Sequence, residues 1–453
     1  MALLIVAVFI TGYALIALEH PLKIDKAASA LLTGVLCWLL LLYGIEAMPG
    51  FPGIDRAVYP DNHAFIEHSL FEHLGEIAGI LFFLLGAMTI VELVDVHDGF
   101  RAITDRIATT DRVKLIWIIS WVSFFLSAGL DNLTTSIVMC ALIRRIIKDK
   151  ENMWLIGGFV IIGANAGGAW SPIGDVTTIM LWIGGQVTTL NIIREIFLPS
   201  SVSLLVPLLV ASYFLKGKVE PPDVAEIANG NGHGNGNGHT TTPFERNLMF
   251  VMGGMALLSV PVFKTITGFP PYMGILLALG VMWYITELLH WRKEPDFRRE
   301  FSVAAMLHRI DTPSILFFLG ILLAVGSLDA SGHLHLLAEE LDKTFGNIYV
   351  INTLIGMLSA IVDNVPLVAA CMGMYELSEF PPDHDFWELL AYCAGTGGSI
   401  LIIGSAAGVA AMGVLKIDFL WYLRRISPYA LVGYLSGVLT YYIENEIFRM
   451  AAQ

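Results

Sequence analysis

The sequence predicts an all-α polytopic membrane protein, an inverted-repeat transporter with about ten transmembrane spans, two re-entrant hairpins and two broken helices. Three observations carry this expectation. Of the 453 residues, 56% are hydrophobic and only 15% charged, and the apolar runs continue from end to end, with a mean hydropathy of +0.69. That composition excludes an ordinary soluble domain. The halves of the chain also repeat: Gly86 and Gly320 lie 234 residues apart, Asp131 and Asp363 232, Gly167 and Gly397 230. Finally, Asp131-Asn132 and Asp363-Asn364 interrupt apolar runs, and ionisable residues at membrane depth are costly enough to mark function.

Residues 1–18 and 28–45 read as spans joined by the loop 19–26. The start of the chain lacks a basic stretch, which argues against a cleaved signal peptide. A polar, acidic loop over 46–73 carries His63, His68 and His73 and reads as solvated; residues 75–94 are a third span. Residues 99–109, mixed and basic, suit a helix lying at the interface. Two apolar pieces, 116–130 and 133–146, then flank Asp131-Asn132. At 1.5 Å per residue each reaches only about 20 Å, short of the roughly 30 Å hydrocarbon core, which favours a re-entrant hairpin over two full spans.

Residues 153–183 form a span expected to break over Gly163–Asp175, where glycines, Pro172 and an aspartate cannot continue an ordinary helix. Such backbone is tolerated at depth only where protein or a polar cavity satisfies it. A span at 196–215 closes the first repeat, 1–215, whose scaffold is 1–94 and whose interfacial helix and transport elements are 95–215. The Gly/Asn/His-rich stretch 216–246 is a flexible linker whose composition cannot build a core. The second repeat, 247–453, has scaffold spans at 247–263, 270–289 and 313–329, within 247–329, and transport elements over 330–453. These comprise an amphipathic stretch around Glu339 and Lys343, hairpin arms at 348–362 and 365–377, a span over 392–413 interrupted at 395–399 and 404–408, and a last span at 429–446.

Five crossings per half invert the second half relative to the first. On that topology Arg56, Arg194, Lys264, Lys343 and Arg449 fall on the N-terminal face and the other 21 of 26 basic residues on the opposite face. The bias makes the second face cytoplasmic, with the central linker inside and both termini outside. Cys37, Cys140, Cys371 and Cys393 sit in apolar segments without metal-ligand spacing and read as buried thiols. The sequence has no phosphate-cradling loop, nucleophile triad or nucleic-acid patch; no enzyme activity, cofactor or nucleic-acid partner is expected.

The two tips and two breaks are expected to meet near the midplane. They would bring together Asp131, Asp175 and Asp363 with Asn132, Thr134, Asn165, Ser171, Thr177, Thr178, Asn364, Thr396, Ser399 and Ser405. Oxygen-rich donors suit Na⁺, Li⁺ or H⁺ rather than a soft metal. Asp131, Asn132, Asp175, Asp363 and Asn364 are the candidate Na⁺ ligands. A carboxylate pulled toward protonation by burial and toward ionisation by a bound cation can trade one for the other. Asp175 aligns with Ser405 in the second repeat, so it is expected to distinguish the two breaks. The bland reading of each Asp or Asn is a helix N-cap without substrate contact; Ser171, Thr396 and Ser405 fit that reading individually. A transporter of an anion, such as arsenite or a carboxylate, coupled to Na⁺ or H⁺, is the alternative. Hydroxyls beside the tips would suit it, but no Lys or Arg lies within the polar breaks.

At four stretches, Ser127–Thr135, Gly163–Thr178, Asp363–Pro366 and Gly395–Ser399, the sequence resembles the ion transporter superfamily, most closely the NhaD-type sodium/proton antiporters. The resemblance covers nearly the whole chain. It implies exchange of cytoplasmic Na⁺ or Li⁺ for external protons across a bacterial inner membrane, with the positions matching Asp131, Asn132, Asn165, Asp175, Thr177, Thr178, Asp363, Asn364 and Ser399 important. It also implies a homodimer in the lipid bilayer and an elevator-like movement.

Overall fold

A computed structural model describes residues 2–17, 19–45, 58–101, 109–215, 217–219, 241–361 and 363–451. Among them the regular structure is helical, and β pairing is limited to the bridge between Asp111 and Lys218. The first half runs through α1 (Ala2–Ala17), α2 (Glu19–Leu22), α3 (Lys26–Gly44), α4 (Asn62–Val96), α5 (Arg112–Leu130), α6 (Asn132–Ile146), α7 (Lys150–Ala169), α8 (Val176–Ile183) and α9 (Thr189–Phe214). The second runs through α10 (Pro243–Thr267), α11 (Pro271–His290), α12 (Pro295–Glu300), α13 (Val303–Leu307), α14 (Thr312–Ala330), α15 (His333–Phe345), α16 (Ile348–Leu358), α17 (Asn364–Met374), α18 (Asp385–Gly397), α19 (Ala406–Leu415), α20 (Phe419–Arg425) and α21 (Ser427–Ala451).

Side-chain caps fix many of the starts. Asp25, Asp61, Asp111, Asp149, Asp311 and Asp418 each accept a backbone N–H in the first turn that follows them, satisfying donors that the helix cannot pair internally. Thr242 and Glu245 form a capping box at α10.

Eight helices among the described residues are long and apolar enough to cross a bilayer: α3, α4, α5, α7, α9, α10, α11 and α14. Seven of these are expected spans, and α5 is the first arm of the first hairpin. The other expected spans fall to α1, which has 16 residues, to the divided pair α18 and α19, and to α21, whose last turns carry Glu444, Asn445 and Glu446.

Several boundaries differ from expectation. The first hairpin arm starts at Arg112 rather than 116, because the Asp111 cap lets Arg112, Val113 and Lys114 join the helix. At 19 residues it is about 28 Å long, so length does not make this arm re-entrant; the arms of the second hairpin, 11 residues each, remain about 16 Å. Residues 62–73, expected in a loop, are the opening turns of α4, started by the Asp61 cap and anchored by buried Ile66. His63, His68 and His73 are therefore helical, and His73 lies 3.9 Å from Asp329 of α14. Pro243–Arg246, assigned to the linker, open α10. Most of the linker and of the interfacial helix at 99–109 lies outside the described residues.

The largest difference is the first break. Gly163–Ala169 remain helical, and the interruption is confined to 170–175. Their glycines permit close packing instead. A Cβ on Gly167 would lie 2.0 Å from the Phe124 carbonyl oxygen of α5, and one on Gly397 would lie 2.0 Å from the Gly356 oxygen of α16. Each hairpin thus presses its first arm onto the glycine face of a broken helix.

Contacts pair off between the halves. Helix α3 packs on α14 as α4 packs on α11; α5 packs on α7 as α16 packs on α18; α6 packs on α19 as α17 packs on α8; and α9 packs on α21. The helices α1, α3, α4, α10, α11 and α14 form one interlocked set, and the hairpins, broken helices, α9 and α21 form another. Gly167→Val is expected to drive a side chain into backbone and destabilise the fold by about 1–3 kcal/mol or more. Gly254→Ala, where nothing lies within 4 Å, is expected to be neutral; thermal unfolding of detergent-solubilised protein checks both.

Candidate functional site

Polar side chains of the second set converge on Asp175, which is 1% exposed. It is the N-cap of α8: its Oδ1 accepts from the Thr177 backbone N–H at 2.9 Å and from the Thr177 hydroxyl at 2.8 Å. The Asn132 amide, from the first hairpin tip, donates to Asp175 Oδ2 at 2.6 Å. The Asn364 amide, from the second tip, donates at 3.3 and 3.4 Å. One carboxylate therefore ties both tips to the first break, as a buried charge requires.

A second centre is Asn165, fully buried on α7. Its Oδ1 accepts from Asn132 at 3.1 Å, and its Nδ2 donates to the Ser399 and Ser405 hydroxyls at 2.9 Å each. Both serines belong to the second break, where Ser405 caps α19 through the Gly408 N–H at 3.2 Å. The network Asn364–Asp175–Asn132–Asn165–Ser399/Ser405 thus joins both hairpins and both breaks. Asn165 can do this because the glycine-rich stretch around it is helical and lies deep in the protein.

The other expected site residues stand outside that network. Asp131 turns back on its own helix, Oδ1 accepting from the Thr134 N–H at 2.7 Å and Oδ2 from the Thr134 hydroxyl at 3.1 Å, with φ 77° and ψ 162°. Ser171 donates to the Ala128 carbonyl at 2.6 Å, pinning the break to the first tip. Thr178 donates to the Gly168 carbonyl at 3.4 Å, and Thr396 to the Tyr392 carbonyl one turn back; these bonds are structural. Asp363 accepts from the Val365 N–H at 3.3 Å, and its Oδ2 lies 3.7 Å from Lys26 Nζ.

Lys26 escaped sequence reasoning because it sits at a span end, where lysine reads as a topological charge. Ser127 and Ser359 were also missed. Each donates from a hairpin to a broken helix, Ser127 to the Ala164 carbonyl at 2.6 Å and Ser359 to the Ala394 carbonyl at 2.8 Å; their common spacing was the available signal.

Among the described residues no group of three or more His, Cys, Asp or Glu converges on a metal position. A hard cation at Asp175 would be held by that carboxylate with amide and hydroxyl oxygens, a donor set suited to an alkali ion. Next to α8 and α17 lies a cavity of about 700 Å³ whose mixed lining includes Glu72, His73, Glu76 and Asp329 as well as Met180 and Met372.

Broken helices and hairpin tips converging on one buried carboxylate in a bundle of membrane-length helices define a secondary transporter. Comparison with known proteins identifies the family. The family described as citrate transporter (CitMHS) matches residues 13–387. Sodium/proton antiporter 1 of Arabidopsis thaliana is 48% identical over 430 residues, covering 95% of this chain and 70% of the relative. The Na(+)/H(+) antiporter NhaD of Vibrio cholerae is 31% identical over 469 residues, covering 97% and 91%. A crystal structure of the Alcanivorax borkumensis YdaH transporter shares the fold, with a TM-score of 0.53 at 12% identity over 92% of this chain and 98% of that one. The chain belongs to the CitMHS family and is related over nearly its whole length to NhaD-type sodium/proton antiporters.

Asn165→Ala removes the donor to two buried hydroxyls and the acceptor of Asn132. It is expected to cost about 1–3 kcal/mol of stability, read as a lower unfolding temperature, whereas Thr178→Val, which loses one long bond, should cost less.

Proposed function

We propose that this protein is a sodium(lithium)/proton antiporter that exports cytoplasmic Na⁺ in exchange for external H⁺, with Asp175 as the residue at which the two ions compete. The observation that carries this reading is the Asp175 carboxylate, buried and bonded by side chains from both hairpin tips. A proton or a cation can neutralise it, but not both at once. Asn132 and Asn364 turn their N–H groups to the carboxylate; rotating either amide would present an oxygen to a cation instead. Asp131 and Asp363 supply negative potential from the tips.

The surrounding architecture follows the same reading. Residues 1–215 and 247–453 are inverted repeats joined by a cytoplasmic linker at 216–246, with both termini outside, in a bacterial inner membrane. The set α1, α3, α4, α10, α11 and α14 is a static scaffold, and the hairpins, broken helices, α9 and α21 move against it as an elevator in a homodimer. Paired contacts between the halves and the bias of basic residues to one face support this.

In proteoliposomes, NaCl or LiCl is expected to drive proton flux and KCl to drive less; Asp175→Asn should lose most of the flux while reconstituting normally. Saturating Na⁺ that leaves proton uptake unchanged would refute competition at one site. The family description favours a second reading, cation-coupled uptake of a carboxylate such as citrate. Labelled citrate accumulating with a Na⁺ or proton gradient, without cation-driven proton flux, would establish it instead. For the topology, a cysteine introduced at Asn231 should react with impermeant maleimide only from the cytoplasmic side.

A further inference from the structure

Asp131 and Asp363 hold the same place in the two hairpins, yet their surroundings differ. Both Asp131 oxygens are taken up by Thr134 of the same helix. Asp363 has one backbone donor at 3.3 Å, and its other oxygen faces Lys26 at 3.7 Å. The lysine comes from outside the hairpin: it opens α3, behind the Asp25 cap, and its backbone N–H donates to the Glu19 carboxylate at 3.3 Å. Its ammonium also lies 4.4 Å from the ring centre of Phe317 on α14. Helices α3 and α14 are locked together, since a Cβ on Gly34 would lie 2.5 Å from the Gly320 oxygen. Lys26 is thus a positive charge fixed to one helical set and presented to a carboxylate of the other. Both side chains are largely shielded, 22% and 17% exposed.

We propose that Lys26 is an affinity-setting residue of the exchange: its ammonium stands in for the transported cation at Asp363 and competes with it electrostatically. The inference rests on the cation-exchange reading of the same site. Asp363 directly precedes Asn364, whose amide donates to the Asp175 carboxylate at 3.3 Å, so the two carboxylates act on each other through charge. While Lys26 neutralises Asp363, the potential drawing an alkali cation to Asp175 is weaker; when the pair opens, that potential deepens. Because the pair bridges two helical sets, any displacement between them changes cation affinity with no change in the ligands. Lys26 touches neither cation nor proton in transit, so it acts as a positioning charge.

The test is the Na⁺ dependence of proton flux in proteoliposomes containing full-length wild type, Lys26→Gln, Lys26→Arg, Lys26→Gln/Asp363→Asn and Lys264→Gln. Lys26→Gln is expected to lower half-saturating Na⁺ roughly threefold or more, the scale of a partly shielded ion pair, with a separate effect on the maximal rate. Lys26→Arg should restore the wild-type value, and Asp363→Asn should abolish the shift caused by Lys26→Gln. Lys264 is the control, because it joins α10 to the Trp182 carbonyl without touching a site carboxylate; Lys264→Gln should keep wild-type half-saturation. An unchanged half-saturation in Lys26→Gln, or an equal shift in Lys264→Gln, overturns the proposal. If Lys26→Gln reconstitutes poorly, Na⁺ protection of the detergent-solubilised protein against thermal aggregation should show the same shift, and its absence is equally decisive. Absence of Na⁺-driven flux in wild type would instead overturn the antiporter reading.

Discussion

A buried carboxylate must be satisfied where it stands, and the architecture around Asp175 follows from that constraint. An ionised group away from water is tolerated only when donors replace its hydration. The donors here come from the first turn of α8 and from the tips of two hairpins far apart in sequence. Neither hairpin supplies a complete shell. The polar groups freed by one helix break therefore draw the two halves of the chain together, and the apolar contacts of α6 with α19 and of α17 with α8 hold that arrangement in register.

Backbone contact sets how closely these elements approach. Gly167 and Gly397 let a hairpin arm lie directly on a broken helix, and Ser127 and Ser359 bridge the same interfaces to helix carbonyls. Dispersion and weak polar contacts replace the hydrophobic effect as the source of cohesion inside a bilayer, which favours small residues at such crossings. The same helices carry Asn165 and the Asp175 cap, so close packing and site geometry are one feature read at two distances.

Much of this was legible in the sequence. The paired Asp-Asn tips, the nearly constant spacing between halves, the Asp175–Ser405 mismatch and the order of elements follow from residue type and position. What was misread has a physical cause. Gly163–Gly168 looked like a break because glycine has poor intrinsic helix propensity, but tertiary packing against α5 outweighs that cost. The opening turns of α4 looked like loop because their polarity masks a helix that projects beyond the bilayer. The partner of Asp363 was invisible, because nothing in a span-end lysine indicates which distant carboxylate it meets. Nor could residue type show that Asp175 lies inside the amide network, while Asp131 and Asp363 are held by a local turn and by Lys26.

The backbone of Asp131 has a consequence for how its hairpin can change shape. A φ of 77° with ψ of 162° belongs to a region that glycine enters freely and other residues occupy at a cost of about 1–3 kcal/mol. Gly129 is only two positions away, so a glycine at the turn would have been an easy solution, yet an aspartate stands there. The two bonds that the Asp131 carboxylate accepts from Thr134 offset that cost and hold the chain reversal in place, so the conformation of the first tip and the charge of its aspartate are fixed by the same pair of contacts.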